Sequence, residues 1–111
     1  MRFLKFVVEG QRIRPDPACD FSGITAGTRG YLVAEFKFSS DWDRCRKAAV
    51  FTHGDETEAA PLEKCSCVIP ERILAHDYFM VSVIGEKEGY RITSGKTTVR
   101  QEKGAWNANS R

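Results

Sequence analysis

The sequence predicts an all-β domain of seven to eight antiparallel strands, a sandwich or small barrel with at most one short helical turn. Three observations predict it. Apolar residues alternate with a period of two along several segments, most clearly from Tyr31 to Phe38. Turn-forming residues recur every ~8–12 positions, the spacing of short strands in sandwiches and barrels. No stretch carries the 3.6-residue apolar period of a long helix, so a doubly wound parallel sheet has no crossover helix to build with.

Taken in order, Arg2 to Glu9 is the first strand, with Leu4, Phe6 and Val8 on one face and Phe3, Lys5 and Val7 on the other. Glu9-Gly10 turns into Gln11 to Arg14, a hairpin ended by Pro15 and Pro17, neither of which can donate to a ladder. Gly23, Gly27 and Gly30 mark a loop before the Tyr31–Phe38 strand, whose Leu32, Ala34, Phe36 and Phe38 share a face. Ser39-Ser40-Asp41 reads as a turn, Lys47 to Thr52 as a strand, and His53-Gly54-Asp55 as a second turn leading into a polar stretch that ends at Pro61. Cys65 to Ile69 is a short apolar strand stopped by Pro70, and Glu71 to Leu74 is the expected helical turn. Asp77 to Glu86 is the longest strand, with Phe79, Val81 and Val83 on one face and Tyr78, Met80, Ser82 and Ile84 on the other. Glu86 to Gly89 turns into Tyr90–Thr93, and Lys96–Gln101 is the last strand.

Length and composition agree with one globular domain. The 111 residues are 41% hydrophobic and 29% charged, and a chain of this mass buries roughly two-thirds of its surface on folding. The sandwich is expected to span residues 1–103, with a flexible C-terminal tail over 104–111. Seventeen Lys and Arg against fifteen Asp and Glu give a net charge of +2, with the basic residues spread along the chain. That argues against nucleic acid, which needs a concentrated basic face. No segment reaches the ~18 apolar residues of a membrane span, and the N-terminus lacks the apolar core of a signal peptide, so synthesis in the cytoplasm is expected.

Cys19, Cys45, Cys65 and Cys67 are therefore read as reduced. Cys65-x-Cys67 on a strand would place both thiols on one face. The spacing is not that of zinc knuckles, and His53 and His76 are isolated in sequence, one in a turn and one in a loop. Asp41 and Asp43, with Asp55, Glu56 and Glu58, form the main acidic group, but Arg44 and Arg46 neutralise the first pair. No catalytic constellation, cofactor site or metal site is expected. Trp42 admits two readings: a core tryptophan at a sandwich end whose N–H finds an acceptor, or, with Asp41 and Asp43, an anchor for a partner.

The segment Phe36-Lys37-Phe38-Ser39-Ser40-Asp41-Trp42-Asp43, followed by Lys47-Ala48-Ala49-Val50-Phe51, carries a resemblance. It continues through Cys67-Val68-Ile69-Pro70 with Ile73-Leu74 and through Phe79-Met80-Val81-Ser82-Val83-Ile84-Gly85. This ordering, over about residues 31–100, resembles the immunoglobulin-like β-sandwich modules of tailed bacteriophages and prophages of Gram-positive bacteria. The resemblance implies a non-enzymatic virion structural protein: a head decoration, a head-fibre base or a tail or baseplate domain. Its implied partners are other virion proteins or further copies of itself as a homo-oligomer. Where that pattern has a glycine after Asp-Trp-Asp, this chain has Arg44-Cys45. Two other readings stand beside it: a phage-encoded inhibitor or adaptor of a host protein, and a small cysteine-based metal protein or enzyme.

Overall fold

A computed structural model describes residues 1–104; the tail expected over 104–111 lies, apart from Gly104, outside the described residues. Nine strands occur among the described residues: β1 (Arg2–Glu9), β2 (Arg12–Pro15), β3 (Leu32–Phe38), β4 (Arg46–His53), β5 (Glu56–Pro61), β6 (Ser66–Val68), β7 (Tyr78–Lys87), β8 (Tyr90–Thr93) and β9 (Thr97–Arg100). They form two sheets. One has the order β2-β1-β3-β6; the other runs β5-β4-β7, with β8 and β9 side by side in sequence along the far edge of β7. The architecture is a two-layer all-β sandwich.

Period-two alternation dictates the core. Leu4, Phe6 and Val8 from β1 and Leu32, Ala34 and Phe36 from β3 face Ala49 and Phe51 from β4 and Phe79, Val81 and Val83 from β7. All are buried, and each large side chain contributes ~1.5–3 kcal/mol by leaving water. Aromatic contacts run through this layer: Phe6 stacks on Phe36 at 5.2 Å, and Phe51 meets Phe79 edge-on at 6.1 Å.

Four expectations need correction. The sheets are not wholly antiparallel, because β1 and β3 pair in parallel from Arg2↔Leu32 to Val8↔Phe38. The reason is the path of residues 16–31, which runs back along the start of β1 so that β3 begins at the same end. Two-residue hairpins cannot do this; a parallel neighbour needs a connection of about a dozen residues or more. That return path is anchored by the Arg2 guanidinium, which donates to the carbonyls of Asp20 (2.9 Å) and Ser22 (2.6 Å). Cys19 extends the ladder: its thiol accepts from the Lys5 N–H and donates to the Phe3 carbonyl.

The strand count is nine because the polar stretch before Pro61 is itself a strand. β5 pairs with β4 from His53↔Glu56 to Ala48↔Pro61 and lies at a sheet edge, where one side faces water and apolar alternation is not required. Two 3-10 turns occur instead of one, Ser40–Trp42 and Ile73–Ala75. The second closes on Pro70, whose carbonyl accepts from the Ile73 N–H, as the proline-initiated turn required. Lastly, Cys65 precedes β6, so strand alternation does not set its side relative to Cys67. Lys64 and Cys65 are the two central residues of a tight turn between Glu63 and Ser66, at φ of 51° and 64°. Two consecutive positive φ values make this a type I′ turn, normally written Asn-Gly.

Candidate interaction surface

Register determines which side chains the first sheet turns outward. Phe3, Val33 and Val68 are directly opposite one another across β1, β3 and β6, and so share the face away from the core. One step toward the start of β1, Met1 and Tyr31 fall on the same side by alternation. These residues form one apolar patch: Met1 is 68% exposed, Phe3 46%, Tyr31 48% and Val68 48%, while Val33 at the centre is only 6% exposed because its row neighbours cover it. Only two other large hydrophobic residues among the described residues are exposed, Ile84 and Tyr90, both less open at 37% and both on the other sheet. A shallow concavity bounded by Met1, Phe3, Val33 and Val68 on one side and by Glu63, Lys64 and Ser66 on the other gives the patch a rim. The next row is Lys5 and Glu35, also register partners on the outer face.

The tryptophan end of the sandwich is built differently. Trp42 is fully buried and its indole Nε1 donates to the Gly10 carbonyl at 2.8 Å, tying the Ser40–Trp42 turn to the β1–β2 hairpin. Its ring packs on Phe38 at 5.0 Å and against Gly85 so closely that a Cβ there would lie 2.7 Å from the Trp42 Cε3. Trp42 is thus a core residue, packed as the first of its two readings has it. Asp41 and Asp43 are exposed beside it, but their carbonyls are engaged: Tyr90 Oη donates to that of Asp41 and Lys87 Nζ to that of Asp43.

All four cysteines are free thiols, and burial pushes the Cys67 thiol up from 9.0 to about 11, so it stays protonated at neutral pH. Cys45 and Cys65 line a common groove with Arg46, Lys47 and Leu62. The two histidines are not isolated. His53 ends β4 and His76 follows the second 3-10 turn; their rings stack at 3.9 Å, and His76 Nε2 lies 2.6 Å from Glu56 Oε1. Nothing local announces this contact, since it depends on how the Ile73–Ala75 turn docks on β4. Among the described residues no group of three or more His, Cys, Asp or Glu is arranged to hold a metal ion, and no helix is long and apolar enough to cross a membrane.

The apolar row was only half legible. Alternation puts Phe3 on one face with Lys5 and Val7, but it cannot align Phe3 with Val68 and Tyr31, because that needs the parallel β1–β3 register. No known family model matches the chain, and no curated protein and no solved structure is significantly similar to it.

Proposed function

We propose that the chain is a structural module of a tailed-bacteriophage virion, acting by protein–protein contact and not as an enzyme. The observation that carries this is the contiguous row Phe3–Val33–Val68, extended by Met1 and Tyr31, on the outer face of the first sheet. A soluble monomer rarely leaves several large apolar side chains adjacent on a flat sheet face, and such patches mark contact sites. The two-layer sandwich of short strands supports the immunoglobulin-like class implied by the Phe-Ser-Ser-Asp-Trp pattern. That pattern implies a role as a head-decoration, head-fibre-base or tail or baseplate component. In this reading the chain is made in the host cytoplasm and resides in the virion, bound to other virion proteins or to itself, with no nucleic-acid or membrane partner.

Quantitative mass spectrometry of purified phage particles tests the proposal. The chain is expected at a fixed copy number relative to the major capsid or tail protein. Its absence from particles, with recovery in a stoichiometric complex with one host protein, would overturn the virion role in favour of a host-directed adaptor.

A further inference from the structure

We propose that the outer face of the first sheet is an interface between two copies of this chain, related by a two-fold axis lying along the strands between β1 and β3. The proposal rests on the contact role argued above and names the occupant. A 180° rotation about an axis in the plane of the face preserves height along the strands and exchanges left with right. β1 of one copy then lies over β3 of the other, an aligned sheet-on-sheet packing of the kind that builds sandwich cores.

The register makes the face complementary to itself under that operation. Phe3 and Val33 are at one height, so Phe3 packs on Val33 of the partner subunit and the contact occurs twice. Lys5 and Glu35 are at the next outward height, so Lys5 meets Glu35 of the partner subunit, again twice. Within the chain these two side chains form no ion pair, the four present being Arg14–Glu9, Arg72–Glu58, His76–Glu56 and Arg91–Glu86 among the described residues. Lys5 is exposed and Glu35 half-buried, so both charges are available. A partner bearing one sign of charge over this row would be repelled by one of the two; a second copy repels neither.

Size sets the strength. The four strands of the sheet, with β2 and β6 only four and three residues long, give roughly 350 Å² of projected face per copy at ~4.8 Å between strands and ~3.3 Å per residue. Doubled over the two copies, that is below the ~1,000 Å² of a stable specific interface, which places the dimer in the weak, reversible class. An array of such contacts in a particle would gain from multivalency what one contact lacks.

Sedimentation velocity of the full chain, from low micromolar to submillimolar concentration, tests the inference. A reversible monomer–dimer equilibrium is expected, weakened ~30-fold or more by Phe3→Lys, a substitution at the centre of the contact. Lys5→Glu and Glu35→Lys, both at sites outside the core, should each weaken it about tenfold or more, since each creates two like-charge contacts. An equimolar mixture of these two single variants should recover the dimer, because only the mixed pair restores both oppositely charged contacts. A monomer at every concentration, or a dimer indifferent to Phe3→Lys, would overturn the interface. A mixture no better than the single variants would overturn the axis. A monomeric chain still present at fixed copy number in virions would sink the dimer alone, whereas a dimeric chain missing from virions would sink the virion role alone.

Discussion

Gly85→Ala tests how tightly the tryptophan end is packed. Gly85 lies in β7 opposite Lys47 and Ile92, with a backbone that any residue can adopt, so space is the only obstacle. A Cβ there would meet Trp42 Cε3 at 2.7 Å, Cζ3 at 3.0 Å and the Cys45 Cβ at 3.1 Å. Trp42 cannot give way cheaply, because its N–H is bound to the Gly10 carbonyl and its ring rests on Phe38. Overpacking of this kind costs about 1–3 kcal/mol, offset by ~0.4–1 kcal/mol from the stiffer unfolded chain. A net loss of about 1–2 kcal/mol should follow, lowering Tm by roughly 5–12 °C in a domain of this size. Urea unfolding followed by far-UV circular dichroism measures it. In a Trp42→Phe background the same substitution should cost at least ~1 kcal/mol less, because the smaller ring frees the space. A Gly85→Ala protein as stable as wild type, or costs that simply add, would refute the account of this end of the fold.

Three further outcomes follow from other parts of the structure. Lys64→Asn combined with Cys65→Gly should stabilise the domain by ~1 kcal/mol or more, since both positions have positive φ and neither present residue favours it; unchanged urea midpoints would argue against the type I′ turn. Gln101 is buried, and its amide donates to the Leu74 and His76 carbonyls at 3.1 and 2.7 Å, so Gln101→Ala should cost ~1–3 kcal/mol, read as a shift in unfolding midpoint. With its pKa raised to about 11 against 9.0 unfolded, Cys67 should carry ~100-fold less thiolate at pH 8 than an ordinary cysteine. Its alkylation should be slower by that factor, as followed by peptide mass spectrometry. Because the raised pKa belongs to the folded state, its contribution to stability is complete below pH 9 and is lost as pH rises toward about 11.

Much of the fold was legible where one face of a strand is buried. β3 and β7 declare themselves because core packing demands apolar residues at every second position, and Phe36, Phe79, Val81 and Val83 satisfy it. β5 did not, since an edge strand made of Glu56-Thr57-Glu58-Ala59-Ala60-Pro61 buries little and is held by its ladder to β4. The parallel β1–β3 pairing was invisible for a different reason. It is decided by the return path of residues 16–31, through long-range bonds such as those from Arg2 to the Asp20 and Ser22 carbonyls. The contact surface depends on that pairing, so its members could be read singly but not as a patch. Trp42 illustrates the converse: two roles were open in sequence, and packing against Gly85 and Phe38 chooses the core.

The central claim is that the chain works through the outer face of its first sheet. The most direct measurement is the copy number of the Phe3→Lys chain in phage particles purified alongside wild-type ones, quantified against the major structural proteins. The account predicts a loss of about tenfold or more with the other virion proteins unchanged, as expected for removing a central apolar anchor. Equal copy numbers for wild type and variant would contradict it.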